Sequence, residues 1–269
     1  MTVARWQKAT SGPMEVWYLE VLGARILFST RRGGQSRPPY HSLNLGLASD
    51  DDPAAVRSNL QKFLGAWAPE FSRQWHLKQI HSSTIIDVSD VPGGEAGLSY
   101  AGSGDGLVSC RPGELLMTFH ADCVPVYAFD PVRSIVGLAH AGWRGTAQGV
   151  TERLLDHMAT RYGTDPGDLI CAVGPAVGPC CYEVDEIVME PLSSLPYWRR
   201  AAKKRNGKWA LDLGLAQREG LLHRGVMGEN IALSRLCTSC SPGDFYSYRR
   251  DGPKSGRMVA CAGLVEWGA

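Results

Sequence analysis

Short apolar runs bounded by Gly, Pro or Asp recur along the chain and predict β-strands. The predicted strands cover residues 16–19, 25–29, 84–88, 114–119, 124–129, 134–140, 169–173, 245–248 and 258–265. The four strands from 84–88 to 134–140 crowd the middle third of the chain. Such a group of neighbouring strands argues against a simple repeat of β-α-β units.

Apolar residues recur at helical spacing in four further segments, over residues 52–64, 146–162, 187–195 and 213–224. The first of them begins with Asp52, a good N-cap, and Pro53, which suits the first turn of a helix. The segment 146–162 is predicted as one helix that follows a glycine-containing loop. Because no linker-like segment divides the chain, the pattern predicts a mixed α/β (α+β) fold in one domain over residues 1–269.

The charge balance excludes several classes of protein. The 269 residues contain 28 Lys plus Arg and 27 Asp plus Glu, which gives a net charge of +1. This composition provides no broad basic surface, so we expect no nucleic-acid partner, although one or two arginines could hold a small anion. No run of about 18 apolar residues occurs and the N-terminus is polar, so we expect a cytoplasmic protein without a membrane span.

Eight cysteines are spread along the chain without a repeated spacing, which is typical of reduced thiols in a cytoplasmic protein. Cys237 and Cys240 form a Cys-x-x-Cys motif of the kind that binds zinc. A zinc ribbon needs a second such motif, and the adjacent Cys180 and Cys181 have the wrong spacing to supply it. We therefore predict structural roles for these four residues.

Three residues with metal-binding side chains, His81, Cys123 and His140, lie at the ends of predicted strands or beside them. Strand ends at one edge of a sheet present their side chains to a common cleft. Two imidazoles and one thiolate suit a tetrahedral zinc ion with a fourth position open for water. Two other interpretations stay open: all three are ordinary buried residues, or Cys123 is a nucleophile with a histidine as its base.

The remaining candidates lie in or near glycine-containing turns. Asp105 is in a glycine-rich loop that lacks the spacing of a phosphate-binding loop, so the loop either only turns the chain or positions this carboxylate. Arg31 and Arg144 lie beside or near glycines, which leave room for a ligand to approach. Arg250 could bind a phosphate at two points or form a surface ion pair. Trp143 could stack on a planar heterocycle or pack in the core.

Eight ordered blocks of this sequence resemble the laccase-domain (YfiH-like, polyphenol oxidase) family. The blocks are 30–36 (TRRGGQS), 42–46 (SLNLG), 78–81 (KQIH), 104–106 (GDG), 121–125 (ADCVP), 139–145 (AHAGWRG), 173–184 (VGPAVGPCCYEV) and 237–252 (from CTSC to YSYRRDG). They keep the family's order across nearly the whole chain, which makes the resemblance highly specific.

The resemblance implies a single-domain mixed α/β protein with central β-sheets flanked by layers of helices, similar to the catalytic domain of cytotoxic necrotizing factor. It implies zinc bound by His81, Cys123 and His140. It also implies phosphorolysis of adenosine, inosine, guanosine and 5′-methylthioadenosine, with adenosine deamination at the same site. Copper and phenol oxidation are the older assignment of the family, so copper is the alternative metal.

On this resemblance, the expected partners are a purine nucleoside and phosphate, and the expected state is a monomer or homodimer. The three metal ligands and Asp105 are the expected catalytic residues, with Asp105 assigned to proton transfer. The expected substrate-binding residues are Arg31, Asn44, Trp143, Arg144 and Arg250, of which the arginines would hold phosphate.

Three positions depart from the family pattern: Leu60, Ser82 and His120. His120 matters most, because it is three residues from Cys123 and could add a ligand or support one. A copper polyphenol oxidase and a non-enzymatic metal-binding protein remain the alternative functions. The seven histidines include no His-x-His pair, which disfavours multicopper oxidation.

Overall fold

The computed structural model describes residues 5–92 and 96–265, and it has the expected mixed α/β class with sheets flanked by helices. Its strands are β1 (Gln7–Ser11), β2 (Met14–Val21), β3 (Ala24–Ser29), β4 (Arg73–Lys78), β5 (Ile85–Asp87), β6 (Gly97–Ser103), β7 (Gly106–Ser109), β8 (Glu114–His120), β9 (Val124–Asp130), β10 (Ile135–Ala141), β11 (Ile170–Val173), β12 (Glu183–Val184), β13 (Ala202–Arg205), β14 (Lys208–Leu211), β15 (Ile231–Leu233) and β16 (Met258–Leu264). Its α-helices are α1 (Pro53–Trp67), α2 (Trp143–Ala147), α3 (Val150–Tyr162), α4 (Glu186–Leu192), α5 (Trp198–Ala201), α6 (Leu213–His223) and α7 (Tyr248–Asp251). Within the described ranges, no helix is both long enough and apolar enough to cross a membrane.

Two large sheets form the frame of the molecule. The seven-stranded sheet has the order β1-β2-β3-β16-β8-β4-β6, and the six-stranded sheet has the order β15-β11-β9-β10-β7-β5. A small third sheet has the order β12-β14-β13. In the seven-stranded sheet, β16 lies between β3 and β8 and is antiparallel to both. The strand that is last in chain order is therefore central in its sheet.

The sheets and helices pack in layers around three buried clusters. Since side chains of a strand alternate between its two faces, Phe28 of β3 packs between the two large sheets, together with Val136 of β10. Leu27, the neighbour of Phe28, packs on the other face with Phe63 of α1. Helices α3 and α6 cover the outer face of the six-stranded sheet, for example through Leu154. Each such buried side chain contributes about 1.5 to 3 kcal/mol relative to an exposed one.

Three connections cross from the seven-stranded to the six-stranded sheet, joining β4 to β5, β6 to β7 and β8 to β9. Because β4 is parallel to both β6 and β8, all three connections leave the first sheet at the same edge. His81, Asp105 and Cys123 lie in these connections. His140 comes to the same edge, since it pairs with Pro125 at the start of β9.

Most of the predicted elements are confirmed. The helix predicted over 52–64 is α1, and the Asp52 side chain caps it by accepting a hydrogen bond from the Ala54 N–H at 2.9 Å. The strands predicted in the middle third match β5, β8, β9 and β10 to within one residue at each end. The single domain over residues 1–269 stays a prediction, and residues 1–4, 93–95 and 266–269 lie outside the described part of the chain.

The prediction of one helix over 146–162 is wrong, because the structure has two helices there. α2 begins at Trp143, inside the predicted loop. Gly149 then has a φ of +72°, which residues other than glycine rarely adopt, and it separates α2 from α3. The apolar spacing continues through this break, so periodicity does not reveal it.

The prediction of a strand over 245–248 is also wrong. Phe245 and Tyr246 are buried between the large sheets without joining either of them. Ser247 caps the short helix α7 with its side chain. Sequence analysis also missed the hairpin of β13 and β14, in which Asn206 and Gly207 both have the positive φ that a tight two-residue turn requires.

Candidate metal centre

His81, Cys123 and His140 meet at the edge where the three connections leave the seven-stranded sheet. One donor atom from each residue lies within 4.8 Å of the other two, and Cys123 Sγ is 4.0 Å from His81 Nε2. A zinc ion with bonds of about 2.0 to 2.3 Å needs ligand separations of about 3.3 to 3.8 Å. His81 is exposed and His140 is buried, so the group faces solvent on one side only. The donor types and their spacing fit a zinc ion after small side-chain shifts.

The buried carboxylate of Asp105 holds both histidine-bearing segments. It accepts hydrogen bonds from the backbone N–H groups of Ile80, His81 and Ser82 at 3.2, 3.1 and 2.6 Å, and from Ser82 Oγ at 2.8 Å. Its Oδ1 is 2.9 Å from His140 Nδ1, which leaves Nε2 as the ring nitrogen that could coordinate a metal ion. Burial raises the pKa of Asp105, but the hydrogen bonds from His140 and Ser82 outweigh it and lower that pKa.

Two backbone features, at His81 and at Gly142, allow the three donor side chains to approach one another. His81 has a φ of +58°, in the left-handed region, and its N–H is held by the Asp105 carboxylate in that conformation. Gly142 directly follows β10, and a Cβ added there would lie 3.0 Å from both Cys123 Sγ and His81 Cδ2. A larger residue at this position would press on two of the three donors, which explains the glycine.

The Cys123 thiol and the His140 imidazole form an ion pair when no metal binds them. Burial raises the pKa of Cys123, but the positive charge of His140 and hydrogen bonds from both histidines lower it to about 6. Burial lowers the pKa of His140, but the thiolate and Asp105 raise it to about 9. Near neutral pH the sulfur is therefore a thiolate, which is the form that binds metals and attacks electrophiles.

His120 lies beside the three donors but outside their group. Its ring nitrogens are 2.8 Å from Thr118 Oγ1 and 3.0 Å from the carbonyl oxygen of Cys123. Its ring centroid is 5.1 Å from that of His140. Burial holds the pKa of His120 well below its usual value, so the ring is neutral. Of the two roles considered for His120, these contacts favour support of a ligand over direct coordination.

Sequence analysis missed Asp122, which joins the connection that carries Cys123 to two further segments by hydrogen bonds. Its carboxylate accepts hydrogen bonds from Thr238 Oγ1 at 2.6 Å and from the backbone N–H of Arg249 at 2.5 Å. Its φ of +90° is in a region that side chains rarely adopt. Because Asp122 directly precedes Cys123, these bonds fix the backbone that carries the thiol. The carboxylate next to a candidate ligand was the signal available in the sequence.

Two of the candidate phosphate-binding arginines have their guanidinium groups bonded within the fold. Arg31 donates to the carbonyl oxygens of His41 and Pro242, and it stacks on Tyr246 with its Cζ 4.4 Å from the ring centroid. Arg250 donates to three backbone carbonyls and to the carboxylate of Asp251. Every guanidinium nitrogen of Arg250 is engaged in this way, so it secures its own loop.

Asn44 also has its hydrogen-bonding groups satisfied within the fold. Its Nδ2 donates to Ser49 Oγ and Asp51 Oδ2, both at 2.9 Å. Its Oδ1 accepts from the backbone N–H groups of Gly46 and Arg257 at 3.1 and 2.8 Å. These contacts favour a role in shaping the loop over direct contact with a substrate.

Arg144 is the exception among the three arginines. Within residues 5–92 and 96–265, its guanidinium makes no hydrogen bond to the protein; it is exposed and stacks on Trp143 at 4.2 Å from the ring centroid. Trp143 is half-buried and packs against the cluster beneath α3. Burial raises the pKa of Tyr182 to about 12, with a further contribution from the charge of Cys123 and an opposing one from Arg144.

A second group of metal-binding side chains consists of Cys180, Cys181, Cys237 and Cys240. Their Sγ atoms all lie within 4.8 Å of one another, and the first two are each 3.4 Å from the Sγ of Cys240. The inference that the adjacent pair cannot complete a four-cysteine group is therefore wrong. Spacing along the chain does not limit contacts between loops, and a β-bridge from Ala176 to Cys237 joins these two loops.

Comparison with known proteins identifies the family. Residues 25–265 match the family described as multi-copper polyphenol oxidoreductase laccase. The chain is 41% identical over 255 residues to purine nucleoside phosphorylase YlmD of Geobacillus stearothermophilus, covering 91% of each protein. It is 33% identical over 245 residues to purine nucleoside phosphorylase YfiH of Escherichia coli, covering 90% of this chain and 95% of that protein.

The fold agrees with a solved structure of the same group. The crystal structure of the Bacillus licheniformis hypothetical protein YfiH superposes with a TM-score of 0.88 at 36% identity, covering 96% of this chain and 98% of that one. The sequence blocks, the family match and the fold all lead to the same assignment. The chain belongs to the multi-copper polyphenol oxidoreductase laccase family, as its resemblance to YfiH-like proteins predicts.

Proposed function

We propose that the protein is a metal-dependent purine nucleoside phosphorylase, which transfers the ribose of a purine nucleoside to phosphate. The observation that carries this proposal is the convergence of His81, Cys123 and His140 beside the ionised Asp105. Relatives at 33% and 41% identity carry the name purine nucleoside phosphorylase. We extend the proposal to adenosine, inosine, guanosine and 5′-methylthioadenosine as substrates, and to adenosine deamination at the same site.

Zinc is the metal that we propose for the group of His81, Cys123 and His140. When bound, zinc supplies a Lewis acid that lowers the pKa of water toward neutrality. Copper also accepts imidazole and thiolate ligands, but multicopper oxidation needs several histidine-rich sites. Among the described residues, only one of the two groups of potential metal ligands contains histidine. The donor set therefore favours zinc over a multicopper centre.

In this proposal, Asp105 positions the candidate metal ligands and Arg144 supplies the positive charge that holds phosphate. Asp105 was expected to transfer protons, but its oxygens are occupied by N–H and O–H donors, so we propose that it orients His81 and His140. Phosphate must be held against ribose C1′ while the bond to the purine breaks, and the leaving purine takes the electron pair. Arg144 suits this task because its guanidinium is exposed and carries donors in a planar fork.

The direct test is an assay of the purified chain with adenosine and inorganic phosphate. Phosphorolysis predicts one ribose 1-phosphate for each free base released, adenine or hypoxanthine, and only when phosphate is present. Deamination predicts inosine, which accumulates when phosphate is absent. Mass spectrometry of the bound metals distinguishes zinc from copper. Oxidation of a phenol without any ribose 1-phosphate would replace the proposal with the laccase alternative, and no turnover at all would leave a metal-binding protein.

Replacing Arg144 with lysine is expected to weaken the response to phosphate. Lysine keeps the charge but loses the planar fork, so a two-point contact with phosphate is lost. The loss of one charged hydrogen bond costs about 1.5 to 3 kcal/mol, which corresponds to a roughly 10- to 150-fold higher phosphate concentration for half-maximal rate. The measurement is ribose 1-phosphate formation against phosphate concentration.

The matched controls for this variant are Arg31→Lys and Arg250→Lys. Their guanidinium groups bind backbone carbonyls, so we expect lower stability with an unchanged phosphate dependence. Phosphate-independent deamination of adenosine serves as the internal control for a correctly folded site. An Arg144→Lys enzyme with the parental phosphate dependence would remove Arg144 from the proposal.

Zinc binding to this centre is expected to release about one proton per ion near pH 7.5. His140, with a pKa of about 9, is protonated at that pH and must lose its proton to coordinate, whereas Cys123, with a pKa of about 6, is already a thiolate. Proton release should therefore fall as the pH rises through about 9 and grow as it falls below about 6. Calorimetric titration with zinc in buffers of different ionisation enthalpy measures it, and no release near neutral pH would contradict a centre in which Cys123 and His140 together hold one proton.

A further inference from the structure

None of the four cysteines in the second group is among the residues assigned to the proposed reaction. Cys180 and Cys181 belong to the loop before β12, and Cys237 and Cys240 belong to the loop before α7. All four are free thiols in the structure. We propose that these four cysteines bind a second zinc ion, which has a structural role.

The spacing of the sulfur atoms supports four-coordinate binding. A zinc ion bound by four thiolates at about 2.3 Å requires sulfur separations of about 3.8 Å. Cys240 Sγ lies 3.4 Å from the Sγ atoms of both Cys180 and Cys181, and no pair within the group exceeds 4.8 Å. Two separations are therefore slightly shorter than the required value and the others stay within 4.8 Å, so small side-chain shifts are enough.

The adjacent pair reaches one ion because it sits in a tight turn. The N–H groups of Cys181 and Tyr182 both donate to the carbonyl oxygen of Gly178 at 3.0 Å. In an extended strand, adjacent side chains point to opposite faces. The curled backbone of this turn removes that alternation, so Cys180 and Cys181 both approach Cys240.

The backbone of Gly178 packs closely against the side chains of Cys180 and Cys237. The Gly178 N–H donates to the Sγ of Cys237 at 3.2 Å, a contact that stabilises a thiolate. A Cβ added at Gly178 would lie 3.3 Å from the Sγ of Cys180 and 3.3 Å from the Cβ of Cys237. Only glycine therefore lets the two loops approach this closely without pushing a neighbour aside.

The proposed ion would hold the two loops that support Cys123. Thr238 lies within the Cys-x-x-Cys turn and donates to the carboxylate of Asp122. Arg249 donates from Nε to the carbonyl oxygen of Cys181 at 3.1 Å, and from its backbone N–H to the same Asp122. A zinc ion joining the two loops would thus fix both partners of the residue that precedes Cys123.

The test counts zinc per chain in the full-length protein purified under reducing conditions. Wild type is expected to hold about two zinc ions, and Cys240→Ser and Cys123→Ala about one each. Cys110→Ser, which changes a half-buried thiol outside both groups, is the matched control and should keep both ions. Cobalt loaded into Cys123→Ala should give the intense thiolate-to-metal absorption of a four-sulfur site, and Cys240→Ser should lose it.

The Cys123→Ala protein leaves the four cysteines intact, so it tests the proposal even if Cys240→Ser fails to fold. Its remaining zinc and its cobalt absorption support a four-cysteine ion, whereas a chain left with neither overturns the proposal. Titration of the denatured wild type should find all eight thiols. A stable count of six, with the disulfide mapped by peptide mass spectrometry to two of these four cysteines, would equally overturn the proposal. The proposed catalytic metal is tested separately, by whether Cys123→Ala holds one zinc ion fewer than wild type.

Discussion

The Cys123→Ala variant is expected to lose about one zinc ion per chain and more than about 100-fold of its phosphorolysis rate. Removing a supporting partner of a metal ligand already costs about 10- to 100-fold, and this change removes a ligand itself. It also leaves His81 and His140 as the remaining donors of the centre. Metal analysis and kcat/KM for adenosine, measured on the same preparation, check the two losses together.

Cys110→Ala is the control for the general effect of losing a thiol. Cys110 is half-buried, and its sulfur contacts Ser89 Oγ at 3.4 Å, so its loss should change neither zinc content nor turnover. A Cys123→Ala protein that keeps its full zinc content but has no activity would contradict the role of Cys123 as a ligand. That result would instead support the nucleophile interpretation.

The Asp105→Ala variant is expected to lose stability and activity together. The change leaves three backbone N–H groups and the buried Nδ1 of His140 without their acceptor, and removing one partner of a buried ion pair costs about 3 to 5 kcal/mol. It also frees the backbone of His81 from its left-handed conformation. We expect zinc affinity and turnover to fall at least about 10- to 100-fold. Urea unfolding, zinc titration and adenosine turnover measure the three effects.

The control for Asp105→Ala is Asp87→Ala, which removes another buried carboxylate. Asp87 accepts a hydrogen bond from Tyr162 Oη at 2.6 Å and lies 3.2 Å from His157 Nε2, and none of these residues is a candidate ligand. This variant should be less stable but should keep its zinc affinity and its activity per folded molecule. Equal losses of zinc affinity in both variants would contradict a specific role for Asp105.

The stability difference between wild type and Asp105→Ala should depend on pH with a definite sign. The pKa of Asp105 is lowered in the folded protein, so the ionised carboxylate favours folding. Its contribution is complete above the unfolded pKa of about 3.9 and is lost as the pH falls through the folded pKa. The two proteins should therefore differ fully at neutral pH and converge in acid. A difference that grows on acidification would contradict this assignment.

The sequence predicted the residues of the candidate centre but not the hydrogen bonds that hold them in position. His81, Cys123 and His140 could be selected because imidazole and thiol groups stood at the ends of apolar runs. The supporting contacts of Asp122 could not be predicted, because its partner Thr238 is 116 residues away and no local pattern records that contact. The four-cysteine group was rejected for the same reason, since spacing describes one turn and not the approach of two loops.

The errors in secondary structure have a related cause. Apolar periodicity reports which positions are buried, and it identified α1 and the middle-third strands well. It does not report how the backbone turns between them. Gly149 divides a helix without interrupting its apolar face, and Phe245 and Tyr246 are buried without pairing to a strand. Both errors arose at residues whose burial in the folded protein does not determine their local backbone conformation.

The central position of β16 has a consequence for synthesis on the ribosome. Residues 258–264 leave the exit tunnel after every other strand that the structure describes, yet they pair with both β3 and β8. Until then, two strand edges in the middle of the future sheet are exposed to pairing with other chains. The nascent protein must therefore protect these two strand edges until β16 has left the ribosome. Ribosome-bound chains that end before Met258 should consequently be more sensitive to protease, and more dependent on chaperones, than the released protein.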